Sequence, residues 1–528
     1  MGLDLLPLLA PLAPALAGLA GLARPGRRPH PIPRLAEAAA AASLFSALAT
    51  AALQALRGPA TIGIGEGVWT LALGRDVLAV AMLLLVSFVG WIVVRYARVQ
   101  LDGEPREGAF AGWLSLTLAA VLLLVQAASL AVLLLAWVAV GLGLGRLLLF
   151  YPERPQARRA ARQARLAAWI ADLALLLAVL LLAKGYGTGS IAAITAAARA
   201  GEAPVEALLA APLLALAALV RTAQLPFHGW VLRVMEAPTP VSAFLHAGIV
   251  NIGGFLVLRF ADLVALAPWA LAALVLVGGL TALLAGLVLL TQPAVKTALA
   301  WSTVAQMGFM MLECGFGLWP LALLHLLAHS LYKAHAFLSA GSAVEAVAAQ
   351  RRPGPVAVPE LRTVVTAGTL ALLVYGGLVF LTGAHGKSPQ ALAMGGVLVL
   401  GVAYLLAQGM AGAAPAALAR RTMLASILAV LGYLGFQSLA TVLTAGVLPQ
   451  PPPPTTLDGA LLALVLLSFA GVALAQTLLP RWAHHPAATG LRVHLANGLY
   501  LDALLDRLVG DLRAPRAAWS SHAPGDEP

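Results

Sequence analysis

The sequence predicts an all-α polytopic membrane protein of about 14–15 transmembrane helices, and three observations carry that prediction. Of its 528 residues, 61% are hydrophobic and only 10% charged, whereas soluble domains run at roughly 25% charged. Mean hydropathy is +0.91. The apolar residues fall into runs near the ~20 needed to cross a bilayer as a helix, separated by short loops that hold most of the Lys and Arg.

In chain order the predicted spans lie at about 3–22, 35–56, 76–96, 110–128, 130–150, 165–184, 204–231 and 240–260, then at about 264–290, 295–314, 318–343, 363–383, 391–411, 422–446 and 457–480. The opening segment, MGLDLLPLLAPLAPALAGLAGLARPGRRPHP, has no positive charge ahead of its apolar run. It therefore reads as a retained first span rather than a cleaved signal peptide. Alternate loops are basic: Arg24, Arg27, Arg28 and Arg34; Arg95, Arg98 and Arg106; Arg146, Arg154, Arg158, Arg159, Arg162 and Arg165; Arg351, Arg352 and Arg362; Arg420 and Arg421. The loops between them are nearly bare, which predicts an outside N-terminus and a cytoplasmic C-terminus. QPPPPTT at 450–456 is a stiff, polyproline-like connector. After Pro480, LRVHLANGLYLDALLDRLVG has the pattern of an amphipathic helix that lies on the membrane, docks on a partner or forms a plain surface helix. From Ala514 on, the composition predicts disorder. The chain thus divides into N-terminal spans (1–109), a core (110–345), C-terminal spans (346–480) and a cytoplasmic tail (481–528).

The net charge of +11 does not point to nucleic acid, because the basic residues occupy topology-setting loops instead of one face. A single cysteine, Cys314, excludes a disulfide framework or a Cys-held metal cluster within the chain. GIGEG at 63–67 and GLGLG at 141–145 are read as following no strand, so neither is a nucleotide fingerprint, and no Walker A pattern occurs.

Ionisable groups inside apolar spans cost ~2.5–3.5 kcal/mol at mid-bilayer depth and usually face protein or water. RTAQLPFHGWVLRVMEAPTPVSAFLHAGIVNIGGFLVLR, residues 221–259, holds Arg221, His228, Glu236 and His246. Pro226 predicts a helix break beside Arg221, with snorkelling of the arginine to an interface as the alternative. Glu236 suits a helix start, and His246 needs a partner in an apolar setting and titrates near neutrality. Lys296 opens a helix whose Ser302, Thr303 and Gln306 continue a polar face. HLLAHSLYKAH places His325, His329 and Lys333 at i, i+4 and i+8, one stripe of a helix drifting only ~40° per step, with His335 off it. Two histidines at that spacing bind zinc only with further ligands, and HEXXH is absent. Imidazoles beside a partly desolvated lysine suit proton hand-over, with polar packing as the plainer alternative.

RTAQLPFHGW, MEAPTPVSAFLHAGIVNIGGF, VKTALAWSTVAQMGFM and LLHLLAHSLYKAHAFLSAGS resemble the antiporter-like membrane subunits shared by respiratory complex I and Mrp-type cation/proton antiporters, most distinctly over about 110–345. The resemblance implies about fourteen helices with two inverted five-helix repeats, each with a broken helix. It places the family's broken-helix lysine on Arg221, the following histidine on His246, the next lysine on Lys296 and the histidine-rich helix on His325, His329 and Lys333. Two positions depart. The family's Trp-Glu pair reads Trp137-Val138, and an arginine replaces the lysine, which makes Arg221 a fixed charge more than a proton carrier.

LVSFVGWIVVRYARVQLDGEP, LLLFYPERP, LHAGIVNIGGF and VHLANGLYLDALLDRLV resemble the DabB family, the membrane subunits of inorganic-carbon accumulation complexes. This resemblance implies a non-enzymatic, H+- or Na+-conducting subunit of the bacterial inner membrane that couples an electrochemical gradient to CO2 or bicarbonate uptake. It implies no cofactor in this chain and a DabA-like peripheral partner on the cytoplasmic side, carbonic-anhydrase-like and zinc-bearing. The expected path runs through His246, Lys296, His325, His329 and Lys333, with Arg221, His228 and Glu236 as electrostatic gates. A proton-pumping subunit of an NADH–quinone oxidoreductase or Mrp antiporter, and a non-conducting membrane anchor, are the rival readings.

Overall fold

A computed structural model of the chain describes residues 6–65, 67–341, 359–411, 416–482 and 485–509. The tail from Ala514 on and the loop holding Arg351 and Arg352 lie outside the described residues. Helices dominate, because a chain in lipid must satisfy every backbone group within its own segment. They run α1 (Leu6–Ala23), α2 (Ile32–Arg57), α3 (Val77–Gln100), α4 (Glu107–Val125), α5 (Leu130–Leu148), α6 (Pro155–Tyr186), α7 (Ile191–Arg199) and α8 (Val205–Arg221). After the short α9 (Gly229–Leu232) come α10 (Thr239–Phe244), a π-turn at Leu245–Ile249, α11 (Ile252–Arg259), α12 (Ala261–Ala265), α13 (Pro268–Leu289), α14 (Val295–Gly315) and α15 (Trp319–Leu338). The last group is α16 (Leu361–Leu381), α17 (Pro389–Gly409), α18 (Ala416–Leu443), α19 (Thr456–Trp482), α20 (Pro486–Ala496) and α21 (Leu501–Val509).

Among the described residues, 11 helices are long and apolar enough to cross a membrane. The other expected spans are also helices: α1, α8, α14 and α15 are shorter or carry more polar side chains. Several start where a side chain caps the first turn, as Asp76 does for α3 by accepting from Ala79 N–H at 2.7 Å. The outward faces keep large apolar residues such as Leu135, Leu142 and Trp169 exposed, as lipid contact requires. Where helices meet, small residues let backbones approach: a Cβ on Gly308 would stand 2.7 Å from the Gly278 carbonyl oxygen, so α13 and α14 cross in near contact.

Residues 239–258 of the span at 239–259 are all buried. Its segments α10, the π-turn and α11 pack between them against α3, α4, α8, α14 and α15. It is the axis around which the candidate site is built.

One element departs from the sequence reading. Residues Ala60–Ile64 (β1) and Leu71–Arg75 (β2) pair as an antiparallel hairpin, so GIGEG does follow a strand. It leads into the hairpin's return and not into a helix, so it still lacks the context of a nucleotide loop. The glycine-rich composition hid the strands, and pairing to the α4–α5 loop stabilises them: Gly74 N–H donates to the Gln126 carbonyl at 2.8 Å and Ala128 N–H to the Ala72 carbonyl at 3.0 Å.

The amphipathic tail after Pro480 is present as the mostly exposed α20 and α21. α21 packs back on its own chain, where Asp502 accepts from Arg233 Nη2 at 2.5 Å and from Gln163 Nε2 at 3.1 Å. Gly498 abuts the Trp301 ring, and Gln292 Nε2 donates to the Ala496 carbonyl at 3.3 Å.

Candidate functional site

The expected break falls where Pro226 predicts it. α8 ends at Arg221, the chain turns through 222–228, and helix resumes at Gly229. The backbone groups freed there find partners: Leu225 N–H donates to Thr281 Oγ1 at 3.2 Å, and Gln224 Nε2 to the Thr222 carbonyl at 3.0 Å. Arg221 does not snorkel. Its side chain is buried, with the guanidinium 5.2 Å over the Trp137 ring and Nη2 3.4 Å from the Trp137 carbonyl oxygen. His228, also buried, sets Nδ1 3.2 Å from the Pro226 carbonyl oxygen and its ring 5.1 Å from that of Trp301 on α14. The side chain of Glu236 lies outside what the structure describes.

His246 occupies the π-turn, an irregularity that widens the helix locally and often marks functional positions. Its ring stacks on Phe337 at 4.3 Å and 11°, and neither ring nitrogen has a hydrogen-bond partner. Electrostatically it faces Lys333 and His329. Asn251, one turn beyond, ties the segment to α15 by donating to Ser330 Oγ at 2.6 Å.

α14 and α15 form the densest polar contact. Lys333 Nζ donates to Ser302 Oγ at 2.8 Å and to the Leu299 carbonyl at 3.0 Å. His329 Nδ1 lies 2.6 Å from Gln306 Oε1, and His325 Nδ1 lies 3.0 Å from Glu313 Oε2. Two antiparallel stripes thus meet rung by rung over about 12 Å of helix, from the 1.5 Å rise over eight residues. Lys296, half-buried on the same helix, donates to Thr239 Oγ1 at 2.9 Å. His335 is exposed and off the stripe.

Beyond Glu313 the polar groups continue on α18. The Tyr433 hydroxyl is buried without a partner and interacts with Glu313, and one turn further Gln437 accepts from Lys387 Nζ at 2.8 Å. Lys387, Gln437 and Thr441 line a cavity of about 280 Å³. Among the described residues, no group of three or more His, Cys, Asp or Glu is placed to hold a metal ion.

The structure therefore brings His246, His325, His329 and Lys333 together, joins Lys296 to the start of the buried span, and leaves Arg221 in a separate pocket against α5 and α6. Sequence reasoning missed Glu313 and Asp172. Glu313 was visible as an acid seven residues after Gln306, two helical turns along the same face. Asp172 was visible as a lone acid in the apolar run of α6.

The family described as NADH:quinone oxidoreductase/Mrp antiporter, TM, matches residues 127–391, half of the chain. Over 474 residues the sequence is 38% identical to "Probable inorganic carbon transporter subunit DabB2" of Halothiobacillus neapolitanus, covering 85% of this chain and 82% of that one. The chain belongs to the DabB family. It is 43% identical over 323 residues to "Probable inorganic carbon transporter subunit DabB" of Hydrogenovibrio crunogenus, 61% of this chain and 62% of the relative. In architecture it is similar to a chain of the Mrp complex from Dietzia sp. DQ12-45-1b, with a TM-score of 0.58 at 22% identity over 97% of this chain and 58% of that chain. That likeness shows the fold, and together with the family match it makes the chain an antiporter-like multi-pass membrane subunit.

Proposed function

We propose that this chain conducts H+ or Na+ and couples the electrochemical gradient to the uptake of CO2 or bicarbonate, as the membrane subunit of an inorganic-carbon uptake complex. The observation that carries the reading is the pair of facing stripes, Ser302–Gln306–Glu313 against Lys333–His329–His325. Titratable groups one turn apart along α15, each hydrogen-bonded across to a polar partner on α14, supply the stations that proton transfer through an apolar interior requires. In this reading Lys296 is the inner entrance, Lys333, His329 and His325 pass the ion, and His246 exchanges with Lys333 and His329 from the side. Arg221, His228 and Glu236 set the field at the break. In this reading the basic loops face the cytoplasm, with the N-terminus outside and the C-terminus inside. There a DabA-like, zinc-bearing partner would carry the hydration chemistry, with catalysis in that partner and none in this chain.

Lys333→Ala tests this in the intact complex. It is expected to abolish carbon accumulation while leaving partner assembly unchanged, and an uncoupler is expected to do the same to the wild type. Normal accumulation in uncoupled cells would refute gradient coupling and favour a passive anchor.

A further inference from the structure

We propose that the first three turns of α6 are the docking surface for an acidic face of the peripheral soluble subunit, through a stripe of Arg158, Arg162 and Arg165 flanked by Arg159. The inference deepens the reading of this chain as the membrane half of a two-part complex, and it rests on that reading for the subunit's existence. α6 is 32 residues long, about 48 Å at 1.5 Å per residue, against roughly 30 Å of hydrocarbon in a bilayer. Its apolar run, residues 166–183, accounts for about 27 Å of that length. Residues 155–165 therefore project about 16 Å from the apolar layer. The headgroup layer is only about 5–7 Å deep on each side. Arg158 and Arg159, about 10–12 Å ahead of Leu166 along the helix, stand beyond it.

All four arginines are exposed. At 100° per residue Arg158, Arg162 and Arg165 fall within about 60° of one another, opposite the face that Ala157, Ala160 and Ala164 bury. Among the described residues none of the four forms an ion pair. Asp502, which docks on Gln163 of the same helix, is already paired with Arg233. The stripe works against its own helix. Like charges three and four residues apart repel, and Arg154 and Arg158 sit at the positive end of the helix dipole with no acid in the first turn. Arginines anywhere in this loop would set topology equally well, so topology does not account for their alignment on one exposed stripe that reaches past the headgroups. An acidic partner surface relieves both repulsions.

The docked tail widens the same surface. Beside Gln163 it leaves Tyr500, Leu504 and Arg507 exposed. Apolar and aromatic side chains next to a row of unpaired guanidinium groups form the footprint of a protein interface, with anchors and a charged rim, more than that of a phosphate layer.

The test uses the full-length chain in nanodiscs, with the purified DabA-like subunit as probe. Wild type is compared with the quadruple variant Arg158→Gln, Arg159→Gln, Arg162→Gln, Arg165→Gln. One exposed charge pair changes an equilibrium by a factor of about 1.4–5, so the variant should bind about 4-fold to several hundredfold more weakly. Wild-type affinity should fall steeply between 0.1 and 1 M salt, as the Debye length shrinks from about 10 to about 3 Å, and the variant should lose most of that dependence. Without the subunit, the variant should unfold at the wild-type temperature or above it, since the repulsion along α6 is gone; this separates docking from folding. Variant affinity within about twofold of wild type, or wild-type binding that salt does not weaken, overturns the surface and leaves the partner reading standing. A variant that binds the subunit normally but no longer enriches anionic lipid in nanodiscs of mixed anionic and zwitterionic phospholipid assigns the stripe to the membrane and overturns the proposal too. Failure of the subunit to bind the wild type refutes the two-part complex and the surface with it. Stripe-dependent binding in a complex that carries no cation flux upholds the surface and refutes conduction.

Discussion

Replacing Glu313 by Gln separates charge from geometry at the outer rung of the polar file. Glu313 is 3% exposed and accepts from His325 at 3.0 Å, so the carboxylate has no bulk water to fall back on. A glutamine keeps the size and an acceptor oxygen, so folding should survive, but the rung loses its charge-assisted hydrogen bond. Such a bond to a charged group contributes about 1.5–3 kcal/mol, a factor of about 10 to 150 when the loss falls on the transferring state. Proton flux through the complex in liposomes should drop within that range. Thermal unfolding should shift modestly, and Glu313→Leu, which leaves His325 Nδ1 without an acceptor, should cost more in both readouts. Flux within about twofold of wild type in a properly folded Glu313→Gln protein would remove Glu313 from the path, since it lies far below that range.

The docked tail offers a second check. A Cβ at Gly229 would stand 1.8 Å from Asp502 Oδ1, so Gly229→Ala should expel Asp502 and reproduce Asp502→Ala. Both should raise proteolysis near residue 497 while costing at most about 1 kcal/mol, because the Arg233–Asp502 pair is partly solvated. At the opposite end, burial pushes the Asp76 carboxyl up, but the Arg259 guanidinium and the Ala79 N–H outweigh it and hold Asp76 below its ordinary 3.8. Its contribution to stability is then complete above the unfolded value and lost as pH falls through the lower folded one. Asp76→Asn should therefore destabilise the protein at neutral pH, with the difference from wild type vanishing in strong acid.

The spans were legible because a bilayer imposes one length on every apolar run, and the stripe of His325, His329 and Lys333 because helical spacing alone aligns them. What those residues face was not legible. The rungs to Ser302, Gln306 and Glu313 depend on the register of α14 against α15, which the turn between them sets. Asp172 and Arg221 are 49 positions apart in chain number, and only the packing of α6 against α8 relates them. The π-turn at His246 leaves no trace in the sequence, since the span is buried on every side and has no apolar stripe whose phase an inserted residue could shift. The hairpin hid behind glycines whose strand character comes from pairing to the α4–α5 loop, and Asp502 reaches Arg233 across 269 residues.

The span at 239–259 touches protein on every side. A helix with no lipid-facing surface gains nothing from the bilayer that a neighbouring helix does not supply better, so hydropathy selects its residues only weakly, and histidine, asparagine and a π-turn are tolerated there. The same enclosure governs the order of assembly. α3 and α4 are synthesised before it and α14 and α15 after it, so when it emerges half of its surroundings do not yet exist. His246 reaches its stacked position on Phe337 only once α15 closes over it, so the polar site cannot form until α15 has been made.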